Sequence, residues 1–303
     1  MTSPAVTICI PAFKARAFIG ETLASIRAQT FADWEAIIIE DGSDDGTEAI
    51  VRDFAKTVTQ HVHFERHPAN RGLPATRNTA IARARGQWIA LIDSDDLWTP
   101  HHLEHAVAAA RSSGAELIHT GVVLFDSDSG RDLELRMPSP ATTAALPVSL
   151  FRGEYIIQPS STLIQRDILT RVGGFDPNCR YVEDRELWIR LVRAGARIHY
   201  VDTLSCRYRQ HGAAMTRNAP AMAVGVAEVF ERNVDWAEIP ADLRRERVAS
   251  AWLDAGRIVL RANPRLARQH IARARRHRPA SPRILLYSAA ALVLGWVKRS
   301  PSS

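Results

Sequence analysis

The chain reads as an α/β protein, a mostly parallel sheet flanked by helices and followed by a helical extension. Three observations predict this. Short apolar runs alternate with longer helical patterns through the first half. Two of those runs end in acidic loops, and the carboxyl ends of strands are where open α/β sheets hold ligands. After Pro220 every pattern is helical. At 303 residues and 46% hydrophobic, the chain can bury a full core. The boundaries expected are 1–215 for the sheet domain and 216–303 for a basic helical extension.

Taken in order, strands are expected at 6–10, 36–40, 88–92 and 117–125, each short and apolar as buried parallel strands are. Helices are expected between them at about 17–29, 47–58, 74–85 and 100–112. Phe18, Leu23 and Ile26 mark the inward side of the first, with Ile19 widening the stripe. Gly86 and Gly114 read as helix terminators, and Pro100 suits a first helical turn. Residues 126–147 are polar and Pro-containing, and read as a loop or an irregular hairpin. A strand at 156–165 leads into a short helix to Val172 and the turn Gly173-Gly174-Phe175-Asp176-Pro177. Glu183-Asp184 opens a helix carrying Leu187, Trp188, Leu191 and Val192, which stops at Gly195. Residues 197–209 form another strand.

The most telling stretch is Ile89-Ala90-Leu91-Ile92-Asp93-Ser94-Asp95-Asp96. Three carboxylates within four positions repel one another and raise the pKa of at least one. A divalent cation answers this, since hard cations take one or two carboxylates and leave other positions to phosphate oxygens. A second acidic turn, Glu40-Asp41-Gly42-Ser43-Asp44-Asp45-Gly46, follows the strand at 36–40 in the same way. An EF-hand loop fails there, because position twelve is Arg52 and the preceding segment is strand-like.

Cys9, Cys179 and Cys206 are widely spaced, so neither a zinc site nor a disulfide framework is indicated. The start, Met-Thr-Ser-Pro-Ala, lacks the basic stretch and apolar core of a leader, and the cytoplasm is the expected location. Net charge is +6. Residues 241–303 hold 13 Arg and 1 Lys against three acids, so the tail carries +11 and the rest −5. A basic tail on an acidic body argues against a nucleic-acid protein, whose charge should line the functional groove. No GxGxxG, no GxxxxGK[ST] and no nucleophile elbow occurs, which weighs against dehydrogenase, P-loop and α/β-hydrolase readings.

Taken together, Val6 to Phe13, Glu40-Asp41-Gly42-Ser43, Asn70-Arg71-Gly72 with Ala75-Thr76-Arg77-Asn78, Asp93-Ser94-Asp95-Asp96, Gly173 to Asp176 and Glu183-Asp184 resemble the family 2 glycosyltransferases of the GT-A fold. The resemblance spans roughly residues 5–212. It implies inverting transfer of a sugar from a nucleotide-diphosphate donor to an acceptor hydroxyl. It places Pro11 and Phe13 at the nucleobase slot, where the family commonly has Tyr at the second position. Asp41 matches the carboxylate that accepts from a uracil ring nitrogen, with Glu40 replacing the more frequent Asp before it. Arg77 matches a donor-site arginine. Asp93 and Asp95 sit near ribose and metal by the same resemblance, with Asp95 or Asp96 binding Mn²⁺ or Mg²⁺ directly and His211 able to complete the shell. Asp184 matches the general base, its pKa raised by neighbouring Glu183. Helix N-terminal charge is the plain alternative for that pair.

The resemblance points to surface polysaccharide or glycolipid synthesis and a glycan or lipid-linked acceptor, with Asp41 and Phe13 favouring a UDP-sugar donor without excluding GDP- or dTDP-sugars. Residues 284–297 form a charge-free run too short to span a bilayer. That run either packs on the body or lies on the inner face of the cytoplasmic membrane, with Arg273, Arg275, Arg276, Arg278 and Arg283 at anionic headgroups. Two other functions fit less well. A sugar-nucleotide-forming nucleotidyltransferase needs a Gly-rich basic loop where Pro11-Ala12-Phe13-Lys14-Ala15-Arg16 stands. A non-catalytic nucleotide-sugar-binding protein should have lost a metal or base carboxylate, and none is missing.

Overall fold

The computed structural model describes residues 3–212 and 218–297, with side chains to residue 294. The expected boundary at 215/216 lies outside the described residues. Contacts divide the chain into one unit of residues up to 146 with 154–212, and a second of 147–153 with the described residues from 218 on.

The first unit begins with β1 (Val6–Ala12), α1 (Ile19–Arg27), β2 (Trp34–Glu40), α2 (Thr47–Ala55), β3 (Val62–Arg66), α3 (Leu73–Arg83) and β4 (Trp88–Leu91). It continues with β5 (Leu97–Trp98), α4 (His102–Ser113), β6 (Leu117–Asp126), β7 (Asp132–Arg136) and α5 (Pro140–Ala144). After the second unit's α6 (Val148–Arg152) come β8 (Thr162–Gln165), α7 (Arg166–Arg171), α8 (Glu183–Arg193) and β9 (Ile198–Gln210). The strands form one sheet in the order β3-β2-β1-β4-β8-β6-β9-β5, with β7 paired to β6. This is the expected α/β architecture, with a mixed sheet. β1 pairs in parallel with β2 and β4, β2 with β3, and β6 with β9. β8, β5 and β7 run antiparallel to their neighbours.

The strand run β3-β2-β1-β4 places chain order in reverse between β1 and β4. That is the switch point at which open sheets leave a crevice at their carboxyl edge. β1 and β2 are buried throughout because helices cover both faces, and Val6, Ile8, Ile10, Ala36 and Ile38 join Leu103, Ala106 and Ile118 in the core. Removing a Val, Ile or Leu side chain of this core from water stabilises by about 1.5–3 kcal/mol.

The structure alters several sequence expectations. β3 is only half-buried and carries His63, Glu65 and Arg66, so it lacks an apolar run. β5 is two residues long, below what a pattern can reveal. Gly114 ends α4 at φ +63° as expected. Gly86 does not end a helix, since α3 stops at Arg83. A Cβ there would lie 2.6 Å from Thr7 N, so Gly86 serves the close approach of this loop to β1. The strand expected at 156–165 is regular only from Thr162, because Pro159 opens a 3₁₀ turn over Pro159–Ser161. Phe18 precedes α1 half-exposed instead of joining Leu23 and Ile26 inside.

The second unit consists of α6 with α9 (Ala219–Arg232), α10 (Ala241–Val259), α11 (Pro264–His277) and α12 (Pro282–Val297). Phe151 packs 5.1 Å from Phe230, and Trp252 stacks 5.4 Å from His270. Asn218 and Asn263 cap α9 and α11 by accepting from N–H groups of the first turn. Among the described residues, no helix is long and apolar enough to cross a membrane.

Candidate active site

Both acidic loops leave the same edge of the sheet, on either side of β1. The Asp41 N–H bonds Ala12 O at 2.7 Å, and the Ile92 N–H bonds Cys9 O at 3.2 Å. The two loops are nevertheless built differently.

At the end of β2 the protein supplies every donor. Asp41 accepts from His67 Nδ1 and Arg71 N on one oxygen, at 2.8 and 2.9 Å, and from Gly72 N at 2.8 Å on the other. Burial works against its charge, but His67 and the two N–H groups hold its carboxyl below the usual range. At 3% exposure it has little surface for a ligand. Gly42 permits this latch, since a Cβ there would fall 2.5 Å from the Ala69 carbonyl carbon. Glu40 is fully buried and accepts from Ser43 N and Oγ at 3.2 and 2.5 Å. Burial pushes its carboxyl up. The hydroxyl of Ser43 also takes the Lys14 N–H, at 2.9 Å, where Lys14 adopts φ +54°. Pro11 is buried in β1, whereas Phe13 beside it is 47% exposed, with the Lys14 ammonium 5.3 Å from its ring centre.

At the end of β4 three carboxylates divide a different set of partners. Arg77, only 1% exposed, bonds Asp93 through Nη2 and Glu183 through Nη1, each at 2.7 Å. Its guanidinium also lies 5.2 Å from the Phe175 ring. Asp95 bonds His211 Nε2 at 2.8 Å and keeps 30% of its side chain exposed. Burial and the charge of Asp93 raise its pKa, against the pull of His211. Asp96 differs from both. It has no exposed surface, and its oxygens accept from Ser160 Oγ at 2.5 Å and Arg209 N at 2.9 Å. Burial and the two neighbouring aspartates push it well up. Its geometry is that of a buried anchor and does not suit the direct metal contact expected for Asp95 or Asp96.

Glu183 and Asp184 open α8 as expected, near the positive end of its dipole. Glu183 is 5% exposed, and burial lifts its pKa to about 7, with Arg77 opposing and Asp184 adding to the rise. Asp184 is half-buried, and its Oδ1 accepts the Arg185 N–H at 2.7 Å. Burial raises its pKa also, and the charge of Asp93 contributes. Burial pushes the phenol of Tyr208 on β9 up, and so does the charge of Asp96, Asp93, Asp95 and Asp184.

Several supporting residues carry no sequence signal. Ser160 bonds Asp96 and also accepts the Asp93 N–H at 3.0 Å, while its carbonyl takes Trp98 Nε1 at 2.6 Å. Arg209 donates to Asp95 O and to Glu21, and its guanidinium lies 4.9 and 4.8 Å from the rings of Phe18 and Phe125. Asn78 exchanges two hydrogen bonds with the Phe175 backbone, at 2.7 and 2.8 Å. Only Asn78 stood within a motif that the sequence singled out.

Among the described residues, no three His, Cys, Asp or Glu side chains are arranged to hold a metal ion unaided. The donors that remain at the cleft, Asp95 and His211 with Asp93 beside them, are fewer than a protein-only cage requires. They suit a hard cation that takes one or two protein ligands and completes its shell with phosphate oxygens and water.

The mixed sheet, with acidic loops at the carboxyl ends of β2 and β4, is that of the GT-A fold. Residues 7–173 match the model of "Glycosyl transferase family 2", and the chain belongs to that family: it is a glycosyltransferase. It is similar to TuaG of Bacillus subtilis, named for teichuronic acid biosynthesis, at 28% identity over 206 residues, covering 68% of this chain and 79% of TuaG. The fold is similar to residues 1–349 of Staphylococcus aureus TarS solved with UDP-GlcNAc, at TM-score 0.71 and 15% identity, covering 97% of this chain and 87% of that one. The chain spans about half, 52%, of a longer TarS structure. The mannosyltransferase PcManGT of Pyrobaculum calidifontis, solved with GDP-Man and Mn²⁺, matches at TM-score 0.63 and 19% identity over 99% of this chain and 89% of its own.

Proposed function

We propose that the chain transfers a sugar from a nucleoside-diphosphate donor to an acceptor hydroxyl with inversion, in the synthesis of a surface polysaccharide or glycolipid. The observation that carries this is the shared guanidinium of Arg77, which joins the donor-side Asp93 to the α8 pair Glu183-Asp184 through two 2.7 Å bonds. Nucleotide-binding and proton-accepting carboxylates are thereby kept in one cleft. TuaG's name and the UDP-GlcNAc and GDP-Man complexes of TarS and PcManGT support the reading, and UDP-sugars are the donors to test first.

In this reading Phe13 offers its exposed ring to the nucleobase, and Pro11 shapes the slot from β1. Asp41 acts by holding the Arg71-Gly72 loop, a positioning role in place of the direct base contact first expected. Asp95, with His211 and Asp93 beside it, would hold Mn²⁺ or Mg²⁺. When bound, that ion supplies positive charge to offset what builds up on the departing diphosphate. Asp184 takes the acceptor's proton as the hydroxyl oxygen bonds the anomeric carbon and the sugar–phosphate bond breaks. Its raised pKa brings its basicity nearer neutral pH, where a general base works best. Glu183 is paired with Arg77 beside Asp184, whose raised pKa comes chiefly from burial, with the charge of Asp93 adding to it, where Glu183 was expected to be the cause. The acceptor's identity is sought among glycans and lipid-linked glycans.

A panel of UDP-, GDP- and dTDP-sugars, assayed for nucleoside-diphosphate release with Mn²⁺, Mg²⁺ or EDTA, tests this. Asp184→Asn should lower turnover about 10²–10⁴-fold while donor affinity stays within a few-fold. Full turnover in that variant removes Asp184 from the role. Release that is equal in EDTA and in Mn²⁺ removes the metal.

A further inference from the structure

α11 and α12 carry an arrangement that sugar transfer does not use. Arg265, Arg268, Gln269, Ala272 and Arg275 recur at three- and four-residue intervals along the exposed side of α11. With Ile271 at their foot, they form one bank of a groove of about 420 Å³ whose other bank is Ser288 and Leu292 of α12. No acidic residue lines it, and none of Arg265, Arg268 and Arg275 has an acidic partner among the described residues. The neighbouring cations differ. Arg273 turns onto the Trp252 ring at 4.4 Å and approaches Glu231, and Arg278 reaches Glu246 at 3.7 Å. Of the arginines expected at headgroups from the sequence, those two are thus engaged inside the unit. Arg265 and Arg268 enter in their place.

α12 is apolar on both sides. Ile284 and Ala291 are buried, whereas Leu285, Leu286, Leu292 and Val293 are 42–67% exposed. Leu292 meets Arg265, Arg268 and Arg275 in one groove, and Leu285, Leu286 and Val293 are further apolar side chains that the same helix holds in water, so the α11–α12 pair carries two chemistries. A second copy of the chain would cover the leucines but set arginines against arginines. An acidic protein would answer the arginines but leave the leucines without an apolar floor. At about 24 Å for 16 residues, α12 is too short to cross a hydrocarbon core of about 30 Å. It suits a position in the plane of an interface.

We propose that the α11–α12 face docks on an anionic phospholipid bilayer. Arg265, Arg268 and Arg275 fork onto lipid phosphates, and Leu285, Leu286, Leu292 and Val293 enter the acyl boundary. This goes beyond the transfer reading and does not depend on it.

The test is flotation of the full chain with vesicles of phosphatidylcholine, alone or with about one-third phosphatidylglycerol. Binding is expected only with phosphatidylglycerol, and weaker at high salt. The triple variant Arg265→Gln/Arg268→Gln/Arg275→Gln should bind such vesicles about two orders of magnitude more weakly, at about 1 kcal/mol per arginine. Leu286→Ser/Val293→Ser should also weaken binding. The matched control Arg27→Gln/Arg111→Gln/Arg131→Gln, exposed arginines of the other unit, should bind as the parent does. Nucleoside-diphosphate release measured without vesicles should be the same in all of them, which separates failure of docking from failure of catalysis. Equal binding to both vesicle types, no binding to either, or parental binding by the α11 triple variant overturns the proposal. So does sedimentation showing a dimer that Leu286→Ser/Val293→Ser dissolves.

Discussion

Two loops leave the same sheet edge on either side of β1, both rich in acid, and the protein treats them oppositely. After β2, Asp41 is surrounded by donors and its pKa falls, although burial pushes that of Glu40 beside it up. After β4, Asp93, Asp95 and Asp96 share Arg77, His211, Ser160 and a backbone N–H, and the pKa values of Asp95 and Asp96 rise. Proximity of carboxylates therefore says little by itself. What separates a latch from a ligand site is whether the fold has already met the charge.

The largest test of that contrast is Asp95→Ala. Turnover should fall about 10²–10³-fold, as loss of one electrostatic stabiliser does, and saturation by Mn²⁺ should be lost. Melting temperature without metal should hold or rise, because one repelling charge has gone; a clear fall would make Asp95 a second latch. Asp41→Asn should behave in the reverse way, costing about 1–3 kcal/mol of stability with metal dependence unchanged. Unaltered unfolding in urea would break the comparison from the other side.

A smaller effect concerns acid. Asp41 has a folded pKa below its ordinary 3.8, so it contributes stability above that value. The contribution is lost as pH falls through the depressed pKa, and the Asp41→Asn variant should flatten this part of the acid-unfolding curve. Smaller again is the acid limb of the pH–rate profile. Since Asp184 must be ionised to act and its pKa is raised, the limb should lie above the ordinary carboxylate range. Arg77 opposes that rise, so Arg77→Gln should move the limb to higher pH. A limb that stays put separates Arg77 from the base.

The alternation of β1, α1, β2, α2, α3, β4 and α4 was legible because each strand is a short apolar run and the segments between them carry helical patterns. β3 was not, since an edge strand at half burial needs no apolar run, and β5 gains its pairing from β9 alone. The acidic motifs identified the site's region but not its division of labour. Asp96 looks like a ligand in sequence, and only the positions of Ser160 and Arg209 reveal that its oxygens are taken. Those partners lie 64 and 113 residues away, and neither belongs to a local pattern. Phe18 was misplaced for a similar reason. Helical spacing put it in the core, while Arg209 and His211 draw it to the site.

The reach of β9 bears on how the protein comes into being. Asp95 meets His211 across 116 positions, and Asp96 meets Arg209 across 113. On a ribosome, the β4 loop emerges long before the strand that steadies it. Contacts so distant form late, after the entropy of closing a long loop has been overcome. A nascent chain halted before β9 would hold its acidic corner open and repelling, so competence arrives with the last described strand of the sheet.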